Sequence, residues 1–240
     1  GGWVELARTT LGSAGDTLAV SSFSNKRYYM VLYNSGVSTE LTQYTTFGSG
    51  GIADTGSNYS NRISDNGNAD STFTSRANMV SGAQSGATRP EFGVGYISNL
   101  AAKEKLWIHH AVNENTAGAG TAPVRAEVAG KWANTSNALD VVSFNNFGSG
   151  DFPIGSEAVV LGWDPADTHT TNFWEELGTF TNGTTTTDLT ITSKKYLWIQ
   201  GYTKGNGSGS GWRPYLRVGN STIDTGTTYA QRESNEGGAD

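Results

Sequence analysis

The residues best suited to acid–base or metal chemistry are three histidines, His109, His110 and His169. A serine-type triad needs a nucleophile, a base and a group that orients the base. His109 and His110 are neighbours in a segment typical of a β-strand, where successive side chains point to opposite faces and cannot bind one metal. We therefore expect one of them to be buried and the other exposed, and we expect His169 to lie in a linker.

Carboxylates and glycine-rich stretches give no better catalytic pattern. Glu175 and Glu176 could serve in glycoside hydrolysis, but a strand would place these neighbours on opposite faces. The stretches that begin at Gly48 and Lys204 lack the GK[ST] ending of a phosphate-binding loop and are predicted turns. The chain has no cysteine, which excludes disulfides, thiolate zinc sites and cysteine nucleophiles. We predict no enzymatic activity, no transition metal and no cofactor other than the calcium ion considered next.

The loop DNGNAD, from Asp65 to Asp70, has the composition of a calcium site. Ca²⁺ prefers several closely spaced oxygen ligands, and Asp65, Asn68 and Asp70 would supply three. The same residue types also build ordinary hairpin turns that need no metal, so both interpretations stay open. In the repeat described below, the counterparts of these ligands are Asn235, Gly238 and Asp240. That second set would bind calcium more weakly.

Aromatic side chains are candidates for stacking on sugars. Those considered are Tyr33, Trp107, Trp198 and Trp212. Tryptophans in strands more often belong to the core, and the low apolar content of 35% makes them necessary there. A glycan therefore stays a candidate ligand, with core packing as the alternative role for these rings.

The elements that position these residues are predicted to be strands. Segments rich in Val, Ile, Tyr, Trp and Thr alternate with Gly, Asn and Ser turns. They begin at Trp3, Asp16, Arg27, Glu91, Lys105, Val124, Leu139 and Glu157. The segment from Val124 shows a clean alternation of period two, with Ala126, Val128 and Trp132 on one face. The segment from Ser98 is the one candidate for a helical turn. We predict an all-β, antiparallel β-sandwich of jelly-roll type, with its first strand near the closing strand Glu157 to Trp163.

Charge and hydropathy limit the partners. The net charge of −6 gives a mildly acidic surface that repels phosphate backbones, so nucleic acid is not expected as a partner. No apolar run approaches the roughly 18 residues of a membrane helix, so a membrane partner is not expected either.

An internal repeat organises the chain. DTGSNYSNRISDNGNAD, from Asp54 to Asp70, matches DTGTTYAQRESNEGGAD, from Asp224 to Asp240, and weaker matches extend upstream in the same order. We predict a first β-sandwich repeat over residues 1–164, a linker over 165–172 and the start of a second repeat over 173–240. The second copy would lack facing strands. We expect either that the natural chain continues or that a neighbouring subunit supplies them, which favours a homo-oligomer.

The segments GSNYSNRISDNGNAD, KLWIHH, GTAPVRAEVAGKWANTS and GDFPIGSEAVVLGWD resemble uncharacterised structural proteins of tailed phages and marine viruses. The resemblance covers most of the first copy and the visible part of the second. It implies a non-enzymatic virion component, such as a capsid decoration, head-fibre or tail protein, whose partners are copies of itself or other virion proteins. The alternative is an extracellular bacterial or archaeal adhesin or carbohydrate-binding module. The expected location is accordingly a virion surface or the extracellular space.

Overall fold

The computed structural model describes residues 2–35, 43–82, 90–167, 173–181, 188–200 and 216–231. These residues form strands and no helix, so no helix among them is long and apolar enough to cross a membrane. The strands are β1 (Val4–Thr10), β2 (Thr17–Ser21), β3 (Tyr28–Ser35), β4 (Gln43–Ser49), β5 (Ile52–Ala53), β6 (Tyr59–Asp65), β7 (Ser71–Arg76), β8 (Met79–Val80), β9 (Glu91–Ser98), β10 (Lys105–Asn113), β11 (Val124–Trp132), β12 (Val141–Asn146), β13 (Glu157–Trp163), β14 (Gly219–Asn220) and β15 (Thr222–Ile223). The chain divides into two compact units, Gly1–Trp174 with Ala230–Asp240, and Glu175–Tyr229.

The first unit is an antiparallel sandwich of two sheets. The larger sheet has eight strands in the order β1-β13-β3-β9-β10-β11-β6-β7. The smaller sheet has the order β2-β12-β4-β5, and β8 also pairs with β4. The prediction of an all-β antiparallel sandwich is therefore confirmed. The predicted closeness of the first and closing strands is confirmed as well, because β1 pairs with β13 from Val4–Gly162 to Thr10–Glu157.

Alternation of side chains builds the core between the sheets. In β11, Ala126, Val128 and Trp132 are buried on the inner face while Glu127 is exposed, as predicted. The smaller sheet contributes apolar rows from β2, β12 and β4. The buried residues of those rows include Leu18, Val20, Phe47, Val142 and Phe144.

Strand β9 follows the alternation, and two of its inward-facing residues are glycines. Gly93 and Gly95 occupy the inner face, and aromatic rings from the adjacent strands cover them. A Cβ at position 93 would lie 2.1 Å from Tyr33, and a Cβ at position 95 would lie 2.5 Å from Trp107. Phe92, Val94 and Tyr96 consequently point outward, while Ile97 at the end of the strand packs into the core.

The segment considered for a helical turn instead contains the end of β9, a turn over residues 99–104 and the start of β10. Ala102 has a positive φ of 53°, which is incompatible with a right-handed helix. The buried Lys105 holds the turn closed, since its Nζ donates to the carbonyls of Leu100 and Lys103 at 3.2 and 2.9 Å.

The second unit repeats one local motif of the first. The hairpin β14–β15 corresponds to β4–β5, and each contains a glycine with no room for a Cβ, Gly219 and Gly48. In the first copy, Tyr59 Oη accepts from the Phe47 amide and donates toward the Phe47 and Asp54 carbonyls. In the second copy, Tyr229 Oη makes the same contacts with Val218 and Asp224.

The other strands predicted for the second copy do not form among the described residues. In the first copy, β1, β2 and β3 pair only with β9, β12 and β13, whose counterparts are not found in residues 173–240. The strands β4 and β5 pair with each other as neighbours in the chain. Their counterparts, β14 and β15, can therefore form a hairpin without the missing strands. The apolar side chains expected to lack a facing sheet are exposed; they are Leu189, Ile191, Leu197, Ile199 and Val218.

Candidate functional site

The outer face of the eight-stranded sheet carries an exposed apolar surface on β9 and β10. Five large side chains there are between 39% and 60% exposed. We call them the outer patch: Phe92, Tyr96, Leu106, Ile108 and Val112. The antiparallel register places Val112 beside Phe92 and Ile108 beside Tyr96, so the side chains form adjacent rows rather than scattered points. A contiguous exposed apolar surface of this kind is typical of an interaction site.

The charges that border the outer patch on β10–β11 are balanced. His110 lies within the patch and is paired in register with Glu127 of β11. Glu127 accepts from Arg125 at 2.5 Å. Farther along the same edge, Lys131 contacts Glu104 at 2.8 Å. This border therefore offers no unbalanced charge that would attract a strongly charged partner.

On the neighbouring strands β3 and β13, the outer face of the same sheet is buried rather than exposed. On β3 and β13, the outward residues Met30, Leu32, Val159 and Leu161 are buried. The rings of Trp3, just before β1, and Tyr96 of β9 approach to 6.4 Å between centroids. Because β13 and β3 lie between β1 and β9, these rings reach toward each other over the intervening strands. The outer patch is thus the uncovered continuation of a longer apolar face.

A shallow groove of ≈ 290 Å³ borders the patch where β9, β10 and β11 run side by side. Phe92, Val112 and Pro123 supply its apolar wall, and Arg125 and Glu127 line the other side. The groove gives the otherwise flat sheet a depression that could receive a projecting side chain.

Polar side chains form a buried network between the sheets, at the end where β3 finishes and β9 begins. Gln43 Nε2 donates to Tyr33 Oη at 2.9 Å, and the Tyr33 hydroxyl donates to the Glu91 carboxylate. Nearby, Thr45 Oγ1 donates to Ser81 Oγ at 2.9 Å. Burial raises the pKa of Tyr33 well above its usual value, and the negative charge of Glu91 adds to this effect. Tyr33 therefore stays protonated and able to donate.

The predicted division between the two adjacent histidines is confirmed. His109 is 1% exposed and its ring stacks between Tyr33 and Trp107, with centroids 5.6 and 4.7 Å away. Burial lowers the pKa of His109 to about 3, and the neighbouring His110 adds to this effect. A neutral ring enclosed in the core cannot reach a substrate at the surface, while His110 is exposed. His169 lies outside the described residues.

The predicted calcium ligands lie in the hairpin between β6 and β7. Asn66 and Gly67 have positive φ values of 54° and 77°, as a type I′ turn requires. Asp65 lies two residues after Ile63 and therefore on the same face of the sheet. Ile63 pairs with Ser71, so Asp70, the residue before Ser71, lies on the opposite face.

Asp70 is 3.9 Å from Arg62 and, like Asn68, is exposed. No group of three or more His, Cys, Asp or Glu that could hold a metal occurs within the described ranges. The turn explains the local sequence, and the calcium site stays a prediction. Asn235, Gly238 and Asp240 lie outside the described residues.

Among the aromatic residues considered for sugar stacking, only Trp198 is exposed within the part of the chain that the structure describes. Tyr33 and Trp107 are buried, so neither can stack on a sugar, and Trp212 lies outside the described residues. Trp198 is exposed in the second unit. Glu175 and Glu176 lie in a described segment that forms no strand, and Glu175 contacts Lys194 at 2.7 Å.

The outer patch is the surface that sequence reasoning missed. The signal was present in EFGVGYIS, where Phe92, Val94 and Tyr96 share one face and two glycines share the other. The usual assumption places the bulky face in the core. In the structure the glycine face points to the core instead, because the aromatic rings of the neighbouring strands cover Gly93 and Gly95. The sequence alone does not reveal that these rings lie over β9.

No family model matches the chain, and neither a characterised protein nor a solved structure matches it.

Proposed function

We propose that the protein is a non-enzymatic structural protein of a virion surface, and that it assembles with copies of itself through the outer patch. The observation that carries this proposal is the arrangement in rows of five exposed apolar side chains on one face of the sheet. The virion setting rests on the resemblance of the sequence to phage and marine viral structural proteins.

A second copy is the partner favoured by the chemistry of this surface. The positions of β9 and β10 that face outward include no Asp, Glu, Lys or Arg, and the neighbouring charges of β11 are balanced by ion pairs. Two such faces can meet without like-charge repulsion, in the face-to-face packing that sheets use in sandwiches. A strongly acidic or basic partner would gain nothing from a border without excess charge.

The expected strength of this contact is modest. Covering five half-exposed side chains contributes on the order of 1 kcal/mol each, or about 10 kcal/mol for two copies. Association costs on the order of 4–15 kcal/mol in lost freedom of motion. The difference is at most about 6 kcal/mol, so we expect weak pairing in solution, detectable from tens of micromolar upward, that becomes effective when many copies are arrayed.

Sedimentation velocity over a concentration series tests the proposal. The wild-type chain is expected to associate reversibly, and Ile108→Lys is expected to remain monomeric with an unchanged melting temperature. Ile52→Lys is the matched control, because Ile52 is 74% exposed but lies in the other sheet. A wild-type chain that is monomeric at every concentration, or an Ile108→Lys variant that associates normally, would contradict it.

The alternative, an extracellular adhesin or carbohydrate-binding module, is favoured by one observation. Phe92 and Tyr96 present exposed rings on a flat surface, which suits stacking on sugar rings. Gel electrophoresis in the presence of soluble polysaccharides separates the two functions. Retardation that Tyr96→Ala abolishes, in a chain that does not self-associate, would support the carbohydrate-binding function.

A further inference from the structure

Three residues that contact Tyr33 or pair with Glu91 each carry a buried polar atom that has no hydrogen-bond partner among the described residues. The three atoms are Ser35 Oγ, Gln43 Oε1 and His109 Nε2, on side chains that are at most 3% exposed. Ser35 is the register partner of Glu91 in the neighbouring strand. Gln43 uses the other atom of its amide to contact Tyr33, and His109 stacks on the Tyr33 ring.

The three atoms need a partner that both donates and accepts hydrogen bonds. An amide oxygen such as Gln43 Oε1 only accepts, a serine hydroxyl does both, and a neutral imidazole nitrogen does one or the other. Buried polar groups in native proteins are almost always paired, with protein or with ordered water. A buried water molecule typically makes about three hydrogen bonds to groups that are otherwise unpaired.

We propose that this cluster is an internal hydration site, in which at least one ordered water molecule binds Ser35, Gln43 and His109 between the two sheets. The water extends the network from Tyr33 and Glu91 and connects the end of β3 to the start of β4. A water molecule meets these needs without adding charge, whereas a cation would bring a positive charge next to His109, whose pKa burial already lowers. The site is separate from the outer patch, which lies on the opposite face of the sheet.

A crystal structure of the wild-type chain identifies the bound species. We expect density for water within about 3.2 Å of Gln43 Oε1 and of at least one of the other two atoms. A dry site in which these atoms find protein partners would overturn the proposal. A metal ion at this position, identified by its shorter distances to oxygen, would also overturn it.

A matched pair of serine variants tests the same site in solution. Ser35 and Ser143 are equally buried, and Ser143 Oγ has a protein partner, Asn145 Oδ1, at 3.1 Å. If water binds Ser35, both Ser35→Ala and Ser143→Ala remove a hydrogen bond, and each lowers the melting temperature by about 2–4 °C. If Ser35 is unpaired, its removal relieves a desolvation cost. A higher melting temperature for Ser35→Ala would therefore contradict a hydrated site.

Discussion

The ring of Tyr33 packs so closely on Gly93 of the neighbouring strand that a Cβ at position 93 would lie 2.1 Å from Tyr33 Cε1. The same Cβ would lie 2.8 Å from the His109 ring. Both rings are buried between other aromatic groups, so neither has space to move aside. The inner face of β9 must therefore be small at position 93, and the bulky neighbours Phe92 and Tyr96 lie on the outer patch.

Replacing Gly93 with alanine is expected to destabilise the sandwich. Overpacking of a well-filled core costs about 1–3 kcal/mol in the free energy of unfolding. Urea denaturation measures this loss, with Gly120→Ala as the control because a Cβ at Gly120 meets nothing within 4 Å. Equal stability of the two variants would show that the rings over β9 are not rigidly packed.

His109 is expected to make the sandwich less stable in mild acid. Its folded pKa of about 3 lies below the ordinary value of 6.5. Above pH 6.5 both states hold a neutral ring, and this contribution to stability is complete. As the pH falls from 6.5 toward 3, the unfolded chain takes up a proton that the folded chain refuses. The free energy of unfolding then drops by up to about 1.4 kcal/mol per pH unit.

The variant His109→Phe keeps a ring in the stack and removes this titration. Denaturation curves between pH 6.5 and 4 should therefore show a flatter pH dependence for His109→Phe than for the wild type. His110→Phe changes an exposed ring and is expected to keep the wild-type slope. Identical slopes in all three proteins would show that His109 is accessible to protons in the folded state.

The repeated tyrosines are expected to differ in importance. Tyr59 is 1% exposed, and Tyr59→Phe leaves buried backbone groups of Phe47 without their partner, at a cost of about 1–3 kcal/mol. Tyr229 makes the same contacts but is 40% exposed, so water can replace its hydroxyl and Tyr229→Phe should cost less than about 0.5 kcal/mol. Urea midpoints compare them, and an equal loss would mean that the second hairpin is buried in solution.

Asp65 is expected to oppose folding when it is ionised. Burial raises its pKa, and its Oδ1 has no hydrogen-bond partner among the described residues. The folded state therefore binds the proton of Asp65 more tightly than the unfolded state does. The stabilisation that this gives is complete in acid and is lost as the pH rises through the raised pKa of Asp65. In the presence of a chelator at neutral pH, Asp65→Asn should therefore raise the melting temperature. A lower melting temperature would contradict this assignment.

The same variant tests the calcium prediction. A calcium ion held by Asp65, Asn68 and Asp70 would raise the melting temperature of the wild-type chain by mass action. Asp65→Asn would abolish that rise. An unchanged wild-type melting temperature on adding calcium would leave the β6–β7 segment as a hairpin turn alone.

Local patterns in the sequence predicted the elements whose alternation is strong. The strand from Val124 alternates cleanly, and the opposite placement of His109 and His110 follows from strand geometry alone. Strand β4 was not predicted, because its sequence QYTTFGS has few apolar residues. It is nevertheless largely buried, since its threonine and glutamine side chains find hydrogen bonds within the sandwich.

Long-range contacts explain what the sequence did not reveal about the candidate site. The orientation of β9 depends on the Tyr33 ring of β3, which is distant in the chain, as well as on the Trp107 ring of the next strand, β10. The strands expected in the second copy depend on partners equivalent to β12 and β13, whereas the hairpin β14–β15 depends only on itself. Propensity and alternation describe a strand, but which face is covered depends on its neighbours in the sheet.

Cysteine trapping on the outer patch tests the central claim of self-assembly most directly. The chain has no native cysteine, so Leu106→Cys, Ile108→Cys and Val112→Cys each introduce a single thiol. If two copies meet patch to patch, at least one of these variants should form a disulfide-linked dimer rapidly under mild oxidation, while Ile52→Cys should not. Equal and slow cross-linking of all four variants would contradict assembly through this face.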